Sequence, residues 1–203
     1  MNDIALKSAL ESARHFTPEL LLAVAMLVVV VIDATRARWR DALNFGITVA
    51  ALGGALASCF LLDRTPKTLW SGMVVLDPIS IYFKMLLIGA SLLVLVMFRR
   101  SRELSGLVLS ELYALLLAVT LSNLLLATSN DLVMLYLALE MVSVTSYVMV
   151  AYMKGDKLSN EASLKYILFG AVSTGVMLYG LSLLYGMTGT TSCLLYTSPS
   201  PRD

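Results

Sequence analysis

The chain has 203 residues, of which 58% are hydrophobic and only 14% are charged, and its formal net charge is +1 at pH 7. A typical soluble domain carries about 25% charged residues, so this composition indicates an integral membrane protein. The charges lie in short segments between apolar stretches, unlike the basic stripe of a nucleic-acid-binding protein. One histidine and two cysteines without metal-ligand spacing argue against a histidine pair, a zinc site and a disulfide framework.

Six apolar segments are long enough to cross a bilayer as helices, for which about 20 residues are needed. They cover residues 17–35, 42–62, 78–98, 108–128, 131–153 and 161–187. A single apolar segment must satisfy its backbone hydrogen bonds internally, and short connections favour antiparallel neighbours. The sequence therefore predicts an all-α fold, a polytopic bundle of about six transmembrane helices.

The basic residues predict how the bundle is oriented, because lysine and arginine accumulate in cytoplasmic loops. Nine of them follow segments one, three and five or begin segment six: Arg36, Arg38, Arg40, Arg99, Arg100, Arg102, Lys154, Lys157 and Lys165. Four lie on the other side: Lys7, Arg14, Arg64 and Lys67. We therefore expect residues 1–16 to form an extracytoplasmic tail.

Small residues recur at every fourth position of the second segment and predict a close helix contact there: Gly46, Ala50, Gly54 and Ser58. The third segment opens with the sequence LDPIS, in which Asp77 can cap the helix and Pro78 suits its first position. Lys84 follows further along. Its long side chain is expected to snorkel toward the outer interface in a structural role.

The fifth segment carries a carboxylate near its middle. Glu140 follows Tyr136 by four residues and precedes Ser143 and Tyr147, so these four polar groups share one helix face. A carboxylate at the bilayer centre costs roughly 3 kcal/mol on insertion scales, so we expect it to face the bundle interior. This face suits proton transfer, because a buried carboxylate can gain or lose a proton as a neighbouring cation moves. A structural glutamate that hydrogen-bonds another helix is the alternative.

Segment six should begin after a cap at Ser159 or Asn160, with Glu161 and Lys165 spaced for an ion pair along the helix. Helical rise places Glu140 and Lys165 at depths that differ by roughly 14 Å, which excludes direct contact. A charged partner of Glu140 is therefore expected on another helix. The chain has no phosphate loop, nucleophile triad or metal-ligand spacing, so redox or hydrolytic chemistry within it is not expected.

Two stretches carry a resemblance to a known family: SELYALLLAVTLSNLLLATSNDLVMLYLALEMVS and EASLKYILFGAVSTGVMLYGLSLLYGMTGTT. The region from Glu111 to Thr191 resembles the antiporter-like membrane subunit N of respiratory complex I, the proton-pumping NADH:quinone oxidoreductase. The second stretch, with KY, LYG and LYGMTG, is the more specific. It favours subunit N over its sister subunits and over multisubunit cation/proton antiporters. The first three segments resemble the family more weakly, chiefly through LDPIS.

The resemblance implies proton translocation through buried charged residues, coupled to quinone reduction elsewhere in the complex. Glu140 matches the family's buried glutamate of the fifth helix, and Lys165 matches the lysine of an EAxxKY motif implicated in proton uptake or transfer. Ser143 and Tyr147 match the residues that follow the glutamate. Many relatives have proline where this chain has Thr145, a departure from the family's pattern at the position of the implied kink.

The resemblance also implies which cofactors and partners the chain has and in which membrane it lies. No cofactor is expected in this chain, because NADH, flavin, iron–sulfur clusters and quinone belong to other subunits. The expected partners are the other complex I membrane subunits and the lipid bilayer, with no nucleic acid. The chain would act as a non-redox subunit of a translocase in the inner (cytoplasmic) membrane.

Family members have about fourteen helices, three leading ones followed by two inverted five-helix repeats. By this resemblance, residues 17–107 would hold helices one to three and the loop after them. Residues 108–191 would hold helices four to six, the start of the first repeat. The composition changes abruptly at 192–203, SCLLYTSPSPRD, which we expect to be non-native. Such a fragment would be inactive alone.

Two other functions fit the same residues. One is a subunit of a multisubunit cation/proton antiporter, in which Glu140 would serve sodium/proton exchange. The other is an assembly scaffold that transports nothing, in which neither Glu140 nor Lys165 would matter for pumping.

Overall fold

The computed structural model describes residues 12, 13, 15–35, 39–101, 109–153 and 155–193. The α-helices of this part of the chain are α1 (Thr17–Ala34), α2 (Arg40–Leu61), α3 (Pro78–Arg100), α4 (Ser110–Thr128), α5 (Leu132–Val150) and α6 (Lys157–Thr188). All six are long and apolar enough to cross a membrane. They coincide with the six predicted segments to within a few residues at each end, so the predicted helical membrane bundle is confirmed.

Aspartates define the beginnings of several helices. Asp77 caps α3 as predicted, accepting a hydrogen bond of 2.7 Å from the backbone N–H of Ser80. Helix α6 begins four residues earlier than predicted, because Asp156 caps it by accepting from the backbone N–H of Leu158 at 3.0 Å. The prediction of a cap at position 159 or 160 is therefore wrong, since both residues already lie in the first turn.

Helix α4 is the centre of the bundle and packs against α1, α2, α3 and α5. Its buried apolar residues include Leu112, Leu116, Leu117 and Leu124. Helix α6 packs mainly against α5. The most apolar stretch of α6 has no buried residue, whereas more than half of the most apolar stretch of α4 is buried. Burial therefore falls from α4 toward α6, and α6 exposes most of its circumference.

Helix α2 packs through a different stripe from the one predicted. The buried residues are Asn44, Thr48, Ala51, Leu52, Ala55 and Cys59. In the predicted stripe Gly46 and Ala50 are exposed, and Gly54 makes the close contact, because a Cβ there would lie 3.3 Å from a methyl of Leu21. Thr48, Ala51, Ala55 and Cys59 are also small, so the spacing of small residues alone did not distinguish two neighbouring faces.

A β-hairpin, which the all-α prediction did not include, joins α2 to α3. Strands β1 (Lys67–Leu69) and β2 (Val74–Leu76) are antiparallel and are joined by a tight turn over 70–72. Trp70, Ser71 and Gly72 all have positive φ, the region that glycine adopts most readily. The hairpin buries Leu69, Val74 and Leu76 against Ile81 of α3, and thus closes this end of the bundle.

The two ends of the chain lie mostly outside the described residues. This holds for most of the predicted tail at 1–16 and for 194–203, the larger part of the segment predicted to be non-native. Its first two residues are placed, since Ser192 forms a β-bridge with Asp131 and the backbone N–H of Cys193 donates to the carbonyl of Asn130 at 2.9 Å.

Candidate functional site

Glu140 lies close to the middle of α5, with eight residues of the helix before it and ten after it. At 1.5 Å per residue it is about 12 Å from one end of the helix and about 15 Å from the other. The side chain is partly exposed and interacts with Tyr136 one turn earlier. Within the described residues it forms no ion pair, and the expectation that its charged partner belongs to another helix stays a prediction.

Tyr147, on the same face of α5, is held at the contact with α6. Its ring packs edge-to-face on the ring of Tyr166, with centroids 4.8 Å apart and an interplanar angle of 89°. Its hydroxyl lies over Gly170, where a Cβ would come within 1.9 Å of Oη. Glycine at this position therefore allows the tyrosine to reach the helix backbone.

Lys165 lies on the exposed side of α6 and forms the ion pair with Glu161 that its spacing predicted. The contact between Ser146 Oγ and Tyr166 Oη, 3.1 Å long, fixes how the two antiparallel helices are aligned. It places Lys165 level with about residue 147, seven residues and roughly 11 Å from the level of Glu140. The prediction that these two residues do not touch is therefore confirmed.

Hydroxyl groups occupy the interval between Glu140 and Lys165. Ser143 Oγ donates to the carbonyl of Leu139 at 2.9 Å, and Ser146 Oγ lies 2.7 Å from the carbonyl of Ser143. Ser146 then meets Tyr166, the neighbour of Lys165 in sequence. The hairpin of α5 and α6 thus places three hydroxyls between the carboxylate and the lysine, of which the sequence analysis had singled out only Ser143.

A second pair of charges was missed by the sequence analysis. Lys84 Nζ of α3 lies 2.6 Å from Oε1 of Glu19 in the first turn of α1, and both side chains are almost wholly buried, at 1% and 0% exposed. The prediction that Lys84 snorkels to the interface is therefore wrong. A lysine extends toward water when no anion is near, but here an anion at similar depth binds it inside the bundle.

The sequence contains a signal for this pair. Glu19 is the third residue of α1 and Lys84 the seventh of α3, and both helices begin at the end that the hairpin closes. Helical rise puts them about 3 Å and about 9 Å from the helix starts, a difference that a lysine side chain can span. Two opposite charges at matching depths on parallel segments make an ion pair possible, but the depths do not show that the two helices bring the side chains together.

The surroundings of this pair are partly apolar and partly polar. The β-hairpin between α2 and α3 packs against Ile81 and Met85, which flank Lys84 on α3. Cys59 of α2 is buried and interacts electrostatically with both charges. Both carboxylate oxygens of Glu19 are buried and accept no hydrogen bond from any described residue. The ion-pair contact with Lys84 is therefore what the described residues offer this carboxylate.

A cavity of about 1160 Å³ opens at the end of the bundle where α1 begins, the end that also holds this pair, although neither Glu19 nor Lys84 lines it. Its polar lining includes His15, Thr17, Ser58, Asp63, Lys67 and Thr68. Lys67 Nζ lies 3.0 Å from Oδ2 of Asp63 and 3.4 Å from Nε2 of His15. Hydrogen bonds from Thr65 and from Lys67 hold the pKa of Asp63 below its usual range, so this carboxylate is ionised at neutral pH.

The described residues contain no cluster of three or more histidine, cysteine, aspartate or glutamate side chains arranged to hold a metal ion. What this part of the chain does offer is carboxylates, lysines and hydroxyls inside a membrane bundle. Such groups can hold and pass protons.

Comparison with known proteins finds similar sequences over most of the chain. The family described as NADH:quinone oxidoreductase/Mrp antiporter, TM, matches residues 129–196, which include α5 and α6. NADH-quinone oxidoreductase subunit N of Anaeromyxobacter sp. (strain Fw109-5) is 40% identical over 185 residues, covering 90% of this chain and 36% of that protein. Subunit N 2 of Chloroherpeton thalassium (strain ATCC 35110 / GB-78) is 37% identical over 186 residues, covering 89% and 36%.

A chain of respiratory complex I from Thermus thermophilus has a similar structure, with a TM-score of 0.74 and 27% sequence identity. The match covers 92% of this chain and 40% of that one. The chain thus spans about a third of the length of the curated relatives it matches. Over about nine-tenths of its own length, the chain is similar to the antiporter-like subunit N of NADH:quinone oxidoreductases. It is a multi-pass membrane protein.

Proposed function

We propose that this chain is part of a membrane-arm subunit of an NADH:quinone oxidoreductase, and that the subunit translocates protons while quinone is reduced elsewhere in the complex. The observation that carries the proposal is Glu140, a carboxylate about midway through a membrane helix, in a chain that resembles subunit N over most of its length. A carboxylate at that depth is unfavourable unless it has a function or a partner.

Each predicted site residue has a role in this proposal. Glu140 holds the proton, and Tyr136 and Ser143 provide polar contacts on its face. Lys165, the ninth residue of α6, is the second translocating group, and its side chain is exposed among the described residues. Tyr147 fixes the contact between α5 and α6 through its packing on Gly170 and Tyr166.

The gap of roughly 11 Å between Glu140 and Lys165 is too long for a direct proton transfer. The hydroxyls of Ser143, Ser146 and Tyr166 lie within it, and ordered water between them would complete a path. The exposed faces of α5 and α6 would be covered by further helices of the same subunit, one of which would carry the lysine that pairs with Glu140.

The same proposal covers the cofactors, the partner subunits and the membrane location of the chain. The chain would bind no redox cofactor, since NADH, flavin, iron–sulfur clusters and quinone would belong to other subunits. Its partners would be the other membrane-arm subunits. It would lie in the cytoplasmic membrane with its N-terminus extracytoplasmic, as the distribution of lysine and arginine predicts.

The test is Glu140→Gln in the complete subunit, assembled with its complex in inverted membrane vesicles. Glutamine keeps the size of the side chain and removes the proton that it can exchange. We expect proton translocation to fall at least about tenfold, an effect typical of removing a general acid–base group. Quinone-coupled oxidation of NADH should continue, because the reacting cofactors lie elsewhere.

Two other outcomes would overturn the proposal. Sodium-dependent exchange that needs no NADH would identify a cation/proton antiporter subunit. Unchanged pumping in both Glu140→Gln and Lys165→Ala, in a complex that still assembles, would identify a scaffold.

A further inference from the structure

The buried pair of Glu19 and Lys84 has no part in the function proposed above. Two charges held away from water are unfavourable unless hydrogen bonds satisfy both of them. Lys84 Nζ lies 2.6 Å from Oε1 of the carboxylate as an ion-pair contact, but both carboxylate oxygens are buried and receive no hydrogen bond from the described residues. A buried carboxylate oxygen without a protein donor points to a water molecule or a proton at that atom.

A polar cavity at the same end of the bundle can supply both. Thr17, two residues before Glu19, and Ser58, immediately before Cys59, belong to its wall. Glu19 therefore lies within about one helical turn of a residue that lines a polar space, although neither Glu19 nor Lys84 lines it. The β-hairpin covers the neighbouring turn of α3 with apolar side chains, so water would approach the pair from the cavity side.

We propose that Glu19, with Lys84 as its counter-ion, is a proton-exchange site hydrated from this cavity, on the side of the membrane where α1 begins. A hydrated proton would transfer to Oε2, leaving a neutral carboxylic acid and a water molecule, and the reverse step would restore the ion pair. Neither step changes an oxidation state or breaks another bond.

The groups that face Glu19 come from three places. Lys84 approaches from α3 and Cys59 from α2, while His15, Asp63 and Lys67 line the cavity through which the proton would enter. All of them lie at the opposite end of the bundle from Lys165, on different helices from Glu140. The site is thus separate from the hydroxyl path of α5 and α6.

The competing explanation is that the pair only holds α1 against α3. A purely structural pair would be dry and permanently ionised, whereas an exchange site must be reached by water and must take up a proton. Both properties can be measured in membranes that carry the complete subunit in its complex.

The first experiment uses the thiol of Cys59 as a reporter of water, in a Cys193→Ser background. Small, neutral 2-hydroxyethyl methanethiosulfonate is applied from the side where α1 begins, and modified peptides are quantified by mass spectrometry. The control is Ala55→Cys in a Cys59→Ala chain, one turn away on the same buried stripe. We expect Cys59 to react at least about tenfold faster, because a thiol needs water to ionise and react. Equal rates would mean a dry pair and would overturn the proposal.

The second experiment measures the proton itself. Infrared difference spectra between low and high pH should contain a carboxylic-acid C=O band that shifts in heavy water, disappears in Glu19→Gln and persists in Glu140→Gln. Spectra without any band that depends on Glu19 would overturn the proposal. Neither readout depends on pumping, so normal pumping by Glu140→Gln would refute the proposed function and leave this inference standing.

Discussion

The contact between Tyr147 and Gly170 makes a quantitative prediction about the hairpin of α5 and α6. In Gly170→Ala the new methyl group would lie 1.9 Å from Oη of Tyr147 and 2.6 Å from Cζ, whereas ordinary contact begins at 3.4 Å. The phenol must therefore withdraw by about 1.5 Å, or the two helices must separate. The ring cannot withdraw freely, because it packs edge-to-face on Tyr166.

Overpacking of this kind costs typically 1–3 kcal/mol, from which the better helix propensity of alanine recovers up to about 1 kcal/mol. We expect Gly170→Ala to lower the free energy of unfolding by about 1–2 kcal/mol. The matched control is Gly175→Ala on the same helix, where a Cβ would meet nothing within 4 Å. That variant should be neutral or more stable.

The assay is equilibrium unfolding of the purified protein in detergent micelles, with the two alanine variants in parallel. A double-mutant cycle with Tyr147→Leu completes it, since leucine is too short to reach position 170. The cost of Gly170→Ala should largely vanish in that background, giving a coupling of about 1 kcal/mol or more. Equal stability of the two alanine variants, or a cost that persists with leucine at 147, would refute the packing described here.

Three further predictions concern the other end of the bundle. Lys84→Met should destabilise the protein by about 3–5 kcal/mol, because it leaves Glu19 buried and unpaired, while Lys84→Met combined with Glu19→Gln should be close to wild type in the same unfolding assay. A double variant as unstable as the single one would contradict this. Asp77→Ala removes the cap of α3 and should cost about 1 kcal/mol, measured as a shift in the unfolding midpoint. Asp63 has a pKa below its unfolded value because of its hydrogen bond from Thr65, so the turn gains stability above about pH 4 and loses it as the pH falls further. Titration by NMR of wild type and Thr65→Val should show a higher pKa in the variant, and identical curves would exclude the hydrogen bond as the cause.

The sequence by itself determined the helices and the face that carries Glu140. Long apolar segments can only be helices in a bilayer, and helical spacing places Tyr136, Ser143 and Tyr147 beside Glu140 whatever surrounds them. The cap at Asp77 and the ion pair of Glu161 with Lys165 were also predictable, because both depend on residues three or four positions apart. Local chemistry is sufficient for features of this kind.

Only the tertiary structure decided which charges are buried together. Glu19 and Lys84 are 65 positions apart in sequence, and whether the lysine reaches water or a carboxylate depends on how α1 and α3 pack. The same is true of α2, where small residues lie on two neighbouring faces and the packing against other helices selected one. The hairpin before α3 was missed because strands of three residues carry too little sequence pattern to be recognised. Contacts between distant segments are set by the whole bundle, which spacing along one helix does not encode.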